Sequence, residues 1–314
     1  MYDVVALGEL LIDFTTQATD PDGYPTMAAH PGGAPANFLA AIAKFGGKAA
    51  LLGKVGTDTF GKLLTDTLRK VGIETKGLVA SDEFFTTLAF VTLDENGDRE
   101  FAFARKPGAD TQLRFDELDL SIIDETRVFH FGTLSLTDEP VRSTTYRAVE
   151  HAKAHGKLIT FDPNLRKPLW RDLVNAKEQM LWGLDHADVV KISDEEVEFL
   201  FDLGAQDGAQ YILDHFPVKL IFVTCGADGC WFQNRKASGH VDSLKNIKVV
   251  DTTGAGDIFG GSAVWKLLQT GTAPEDLTEA GLREIVSFAC RAAGLSTTKH
   301  GGISSVQDME IEQQ

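Results

Sequence analysis

Three cysteines in 314 residues, Cys225, Cys230 and Cys290, form no metal-ligand spacing, and an odd number cannot all pair within one chain. Such sparing use fits a reducing cytosol, so a cytoplasmic protein is expected. Basic residues are short relative to acidic ones. The 30 Lys and Arg against 46 Asp and Glu leave a formal net charge of −16, which speaks for solubility and against an electrostatic nucleic-acid or membrane partner. Long apolar runs are also missing. Val4–Leu11 is interrupted by Gly8 and Glu9, so neither a signal peptide nor a membrane span is expected. Two familiar nucleotide loops are absent. None of the pairs Gly53-Lys54, Gly61-Lys62 and Gly156-Lys157 precedes Ser or Thr, which excludes a Walker A loop. Gly254-x-Gly256 is followed by Phe259 where the dinucleotide fingerprint needs a third glycine.

What the chain does contain is concentrated in Asp251-Thr-Thr-Gly-Ala-Gly-Asp257. Lys248–Val250 reads as the end of a strand, and Phe259, Ala263, Val264, Leu267 and Leu268 recur at helical spacing up to a Gly271 stop. The first-turn amides of a helix have no internal partners, and the helix dipole favours an anion there. Gly254, Ala255 and Gly256 carry little that would hold a phosphate away, and Asp257 is placed to accept a proton beside it. An anion hole with an adjacent base suggests group transfer. A dipole-complementing Asp in a plain turn is the weaker account of two glycines, two threonines and two aspartates in seven residues.

Elsewhere the pattern alternates. Tyr2–Asp13 reads as a buried strand with Asp13 at its exit, where it serves as a ligand group or a turn former. Pro31-Gly-Gly-Ala-Pro-Ala-Asn37 opens a helix over Phe38–Phe45; Pro35 suits its first turn, and the Asn37 amide is a better partner for hydroxyls than a helix former. Phe84–Leu93 and Arg99–Ala104 flank the hairpin signal Asn96-Gly97. With the segment after Asp13 they form either a small β lid that excludes water or an oligomer interface, two compatible roles. Arg105 follows with a planar fork able to hold sugar oxygens or charge. From Val128 onward strands and helices alternate, which implies a largely parallel sheet covered on both faces, whose polar strand ends converge on one cleft. Ser193-Asp-Glu-Glu196 fits a capping box, and His130 in an apolar strand reads as a packed histidine. The run Ala289, Ala292, Ala293, Gly294 leaves either a groove for a flat purine or a close helix contact. Length allows one large domain or two smaller ones.

Gly32-Gly-Ala-Pro-Ala-Asn37 with Gly46 and Gly56, together with Asp251–Asp257, resembles the two signatures of the PfkB, or ribokinase-like, carbohydrate kinases. Leu39, Ser262 and Ser193 depart from the usual pattern, Ser193 standing where the family has Asn. Gly8–Phe14, Phe103–Arg105, Pro107–Asp110, His130–Gly132, Phe161–Arg166 and Lys191–Glu196 resemble the fructokinases within it. The resemblance implies one α/β kinase domain over 1–314, with a β lid from about 14–31 and 84–106 through which a homodimer would form. It also implies ATP-dependent phosphorylation of D-fructose at its primary hydroxyl to give fructose 6-phosphate. Asp257 would be the base and Gly254, Ala255 and Gly256 the anion hole. Asp13, Gly32, Gly33, Asn37 and Arg105 would hold the sugar. Arg166, Lys191, Ser193, Thr224, Gly226, Gly229, Ala289 and Ala293 would surround ATP. Glu196 would orient Mg²⁺ through water, and K⁺ would sit by Asp251, Thr253 and the backbone near Ala292. The alternatives are a 2-keto-3-deoxygluconate kinase or another sugar kinase of the family, and a non-catalytic sugar-binding regulator.

Overall fold

The computed structural model describes residues 1–93, 99–307 and 309–311. The strands are β1 (Tyr2–Leu7), β2 (Leu11–Thr19), β3 (Pro25–Gly32), β4 (Ala49–Gly56), β5 (Ile73–Glu74), β6 (Leu78–Ser81) and β7 (Leu88–Leu93). They continue with β8 (Arg99–Ala104), β9 (Thr126–Gly132), β10 (Leu158–Asp162), β11 (Val189–Ser193), β12 (Leu220–Thr224), β13 (Cys230–Asn234) and β14 (Ser238–Val241). The helices are α1 (Ala34–Lys44), α2 (Thr59–Lys70), α3 (Leu120–Asp124), α4 (Val141–Ala154) and α5 (Leu173–His186). After these come α6 (Asp194–Phe201), α7 (Ala205–His215), α8 (Ala255–Thr270) and α9 (Glu279–Ser296).

The main sheet runs β14-β13-β12-β11-β10-β9-β1-β4-β5, with β6 on β4; it is parallel from β12 to β5 and antiparallel at β13 and β14. Side chains alternate across it with the period of two that a strand imposes. On one face Val5, Leu7, Phe129 and Phe131 pack with α3 to α7, through Ile122, Val149, Met180, Val197 and Ile212. On the other, Val4, Ala6 and Val128 meet α1, α2 and α8 through Leu39, Leu64 and Ile258. Each such fully buried aliphatic side chain contributes roughly 1.5–3 kcal/mol. The α/β architecture with both faces covered is the expected one.

A second sheet, β3-β2-β7-β8, stands apart from the first. β7 and β8 pair antiparallel, from Leu88 opposite Ala104 to Leu93 opposite Arg99, whereas the Asn96-Gly97 turn between them lies outside the described residues. The expected single strand over Tyr2–Asp13 is two. The chain leaves the main sheet at Gly8, where an added Cβ would come 2.6 Å from Pro35 Cγ, and it re-enters as β2 of the small sheet. Asp13 therefore sits within β2, opposite His30, and not at a main-sheet exit. Lys248–Val250 is not a strand end either. Val249 and Val250 are exposed, and the amides of Val250 and Asp251 both donate to the Thr297 carbonyl beyond α9.

Candidate active site

The start of α8 is built by its glycines. Gly254 takes the left-handed conformation at φ 77°, and an added Cβ would lie 2.9 Å from Gly302 Cα and 3.0 Å from Asn37 Nδ2. Only glycine combines that φ with so close an approach. α8 consequently begins against the first turn of α1, itself opened by Gly33 at φ 112° and carrying proline in its first turn. Asn37 Nδ2 donates to Asp257 Oδ2 at 2.8 Å, and Asn37 Oδ1 is buried with no protein partner. An unanswered buried acceptor costs free energy unless a ligand hydroxyl meets it.

Asp257 is buried in the first turn of α8. Burial and the nearby Asp162 carboxylate push its pKa up to about 6, against the lowering pull of the Asn37 amide, Lys191 and Arg166. It is thus largely ionised at neutral pH yet basic enough to take a proton. Lys191, on β11, reaches Asp162 at 3.1 Å, and an added Cβ on Gly256 would lie 2.9 Å from its ammonium. Burial opposes the lysine's charge, but Asp162, Glu196 and Asp257 outweigh it and hold its pKa above the usual value. A fixed positive charge therefore stands beside the amides at the start of α8.

One cleft is lined by Asp13, Gly33, Asn37, Arg166, Thr253, Gly254 and Asp257, residues drawn from both ends of the chain. Gly32 belongs beneath it, because a Cβ there would come 2.1 Å from Asp13 Oδ2. A larger groove of about 640 Å³, between α7 and the β13–β14 edge, contains neither glycine-rich motif. Glu9 and Asn164 also line the cleft, two residues to which the sequence alone assigns no role. Glu9 accepts the Ala34 amide at 2.9 Å and so holds the start of α1. Burial lifts its pKa to about 7, although its own amide, that of Ala34 and Arg105 pull it down. The available signal was a carboxylate interrupting an apolar run.

Arg105 is not among the cleft-lining residues. Its guanidinium is buried against Asp110, with Nε 2.8 Å from Oδ2, and donates to Thr137 Oγ1 and the Leu134 carbonyl, each at 2.8 Å. Three acceptors converging on one fork explain why it points into the protein. Glu196 and Ser193 form the expected capping box; the Glu196 carboxylate accepts the amides of Ser193 at 2.9 Å and Leu165 at 2.6 Å. His130 lies face to face with Phe38 at 3.8 Å, its Nδ1 3.0 Å from Thr160 Oγ1, and burial drives its pKa down to about 3, helped by Lys191. It is a packed, neutral histidine.

At the far end of the cleft edge, Thr224 closes β12, and Gly226 and Gly229 turn the chain into β13 with φ 53° and 105°. A Cβ on Gly229 would come 2.1 Å from the Val241 carbonyl. Ala289 is fully buried among Cys230, Phe232 and Phe259, whereas Ala293 is half-buried and Leu244 seats on Gly294. Asp251 accepts the Thr253 amide at 2.9 Å, the Thr253 hydroxyl at 2.7 Å and the Gly301 amide at 2.9 Å. Ala292 faces the core beside Leu39 and Val264. The segments brought to Asp251 are those at Thr297 and Gly301, because α9 must run past Ala292 before the chain turns back.

A buried, proton-accepting carboxylate at a helix N-terminus, with a fixed lysine behind it and an open polar cleft in front, is the equipment of an enzyme that transfers a phosphoryl group onto a hydroxyl. The chain belongs to the pfkB family of carbohydrate kinases, whose description it matches over residues 1–309. It is 42% identical over 306 residues to fructokinase-2 of Solanum lycopersicum, covering 96% of this chain and 92% of that one. Among solved structures it is similar to a fructokinase with bound ATP from Xylella fastidiosa, with a TM-score of 0.89, 30% identity and coverage of 97% and 95%. It is also similar to a fructokinase double mutant from Vibrio cholerae O395 bound to fructose, ADP and potassium, with a TM-score of 0.85, 30% identity and the same coverage.

Proposed function

We propose that this chain transfers the γ-phosphoryl group of ATP to the primary hydroxyl of D-fructose, giving fructose 6-phosphate and ADP. The observation that carries the reading is Asp257, held by Asn37 in the cleft with its pKa lifted to about 6. Asp257 accepts the hydroxyl proton as the sugar oxygen bonds to phosphorus and the bond from phosphorus to the ADP oxygen breaks; the proton then passes to solvent. The amides at Gly254 and Gly256 balance charge on the group in flight, and that of Ala255 joins them on leaving the Thr252 carbonyl it meets at 3.3 Å. Asn37 lines the same side of the cleft as Asp13 and Gly33, and its side-chain amide meets a second sugar hydroxyl. Arg105 acts through Asp110 and Glu9 as a positioning residue.

Arg166, Lys191, Thr224, Gly226 and Gly229 form the nucleotide side, with Ala293 and Leu244 bounding a flat base. Mg²⁺, when bound with ATP, neutralises phosphate charge. Glu196 spends its oxygens on two amides, which fits contact through water. Carboxylate and hydroxyl oxygens at Asp251 and Thr253 fit a potassium ion. One kinase domain covers the chain, and the β3-β2-β7-β8 sheet serves as its lid. Tyr24 and Phe85 leave 69% and 54% of their surface exposed near that sheet, which supports a homodimer through it, tested by light scattering.

The deciding experiment is a panel of sugars and sugar acids with ADP release as readout. Fructose is expected to give the highest kcat/KM. Turnover of 2-keto-3-deoxygluconate with none of fructose would overturn the assignment.

A further inference from the structure

We propose that Asp124, His151 and His155 form a surface site for one divalent transition-metal ion of the zinc class, at the sheet edge opposite the cleft. His151 and His155 lie one turn apart at the C-terminal end of α4, on the same face, with ring centroids 4.2 Å apart. Asp124 closes α3 beside them. Its Oδ1 is 2.7 Å from His151 Nε2 and 3.8 Å from His155 Nε2, and the three ligand atoms all lie within 4.8 Å of one another. Ligands of a tetrahedral ion with bonds of ~2.0–2.1 Å sit about 3.3 Å apart, so the cluster needs only small side-chain rotations. Among the described residues no other group of three such side chains comes together in this way.

The hydrogen bonding orients the ligand atoms. His155 Nδ1 faces the His151 carbonyl at 2.8 Å, an oxygen that can only accept, so Nδ1 carries the proton. In the neutral ring the lone pair then lies on Nε2, the atom turned toward the Asp124 carboxylate. That nitrogen and the Asp124 oxygen, 3.8 Å apart, are turned toward a common point beside His151 Nε2, the arrangement that a metal ion bridges. A backbone carbonyl on the outer nitrogen is also the usual way a metal-bound imidazole is oriented. The C-terminal end of α4 adds the negative pole of its dipole. The competing positive charge is Lys157, whose ammonium binds the Asp124 backbone carbonyl at 2.6 Å and leaves the carboxylate to the histidines. Two imidazoles and one carboxylate select zinc, cobalt or nickel over magnesium or calcium, with water completing the shell.

Asp124 precedes β9 and His155 precedes β10, so the site lies at the strand starts, whereas Gly132 and Asp162 at the strand ends border the cleft. The length of β9 separates the two by roughly 20 Å. The ion therefore ties α3 to α4 and takes no part in phosphoryl transfer.

The test is a titration of metal-stripped full-length protein with CoCl₂, read by visible absorption, and with ZnCl₂, read by calorimetry and thermal unfolding. Excess MgCl₂ is kept present to occupy the nucleotide site. One equivalent is expected to bind to the wild type, with a rise in Tm. Affinity should fall at least about tenfold for each imidazole removed, in His151→Ala and in His155→Ala. The double variant should show neither uptake nor the rise in Tm, whereas His240→Ala on β14 should match the wild type. Equal uptake by wild type and double variant, or no uptake by the wild type, overturns the site and leaves a hydrogen-bonded triad only.

Discussion

The Asn37 side-chain amide donates to the Asp257 carboxylate at 2.8 Å across 220 positions of sequence, joining the first turn of α1 to the first turn of α8. A donor on a carboxylate favours its ionised form. Asn37→Ala removes that donor, so Asp257 should hold its proton to higher pH. The acidic limb of the kcat/KM profile is expected to move upward from its wild-type position near pH 6. An unmoved limb would separate Asn37 from the titrating base.

Asp257→Asn keeps the shape and the Asn37 hydrogen bond but removes the basic oxygen. Loss of a positioned base costs ~10²–10⁴-fold, so kcat should fall by that order. ATP affinity measured by calorimetry should stay near the wild-type value. A variant retaining wild-type kcat would mean that another group accepts the proton.

Two buried carboxyls also link stability to pH. Asp257 titrates at about 6 in the folded chain against an ordinary 3.8, and Glu9 at about 7 against 4.5. Between those values the folded state binds more protons than the unfolded one, so stability falls as pH rises. The contribution is fully present below the ordinary values and is lost as pH climbs through 6 and 7. Glu9→Gln keeps an oxygen for the Ala34 amide without the charge. Its advantage over wild type should be on the order of 2 kcal/mol at pH 8 and vanish near pH 4. Urea unfolding at the two pH values checks this, and an equal difference at both would exclude Glu9 as the source.

Arg105 and Asp110 form a buried ion pair completed by Thr137 and the Leu134 carbonyl. Removing one member strands the other's charge, which costs ~3–5 kcal/mol. Arg105→Ala should therefore lose stability of that order in urea unfolding. Arg105→Lys should recover little, because a single ammonium cannot reach three acceptors in different directions. If Arg105→Ala unfolds like the wild type and only its sugar KM rises, the residue contacts substrate directly.

Much of the fold was legible from local chemistry. The capping box at Ser193 and Glu196, the helix from the 254–256 turn to Gly271, and the β-α alternation after Val128 all form as read. Each depends on residues within a few positions of one another. α7 and β14 are not among the elements expected from the sequence. The break at Gly8 is not legible locally, because Pro35, which leaves no room for a side chain there, lies 27 positions away.

The sequence by itself determined the two glycine-rich motifs, the aspartate at a helix start and the chemistry such a turn can perform, because backbone conformation and helix dipoles are set by neighbours in the chain. Only the tertiary structure decided how basic Asp257 is, that Arg105 turns inward to Asp110, that Glu9 holds α1, and that Thr297 and Gly301 rather than Ala292 come to Asp251. Burial and through-space charge set those outcomes. Both depend on segments that meet only when β1, β10, β11, α1 and α8 bring their ends to one edge of the sheet.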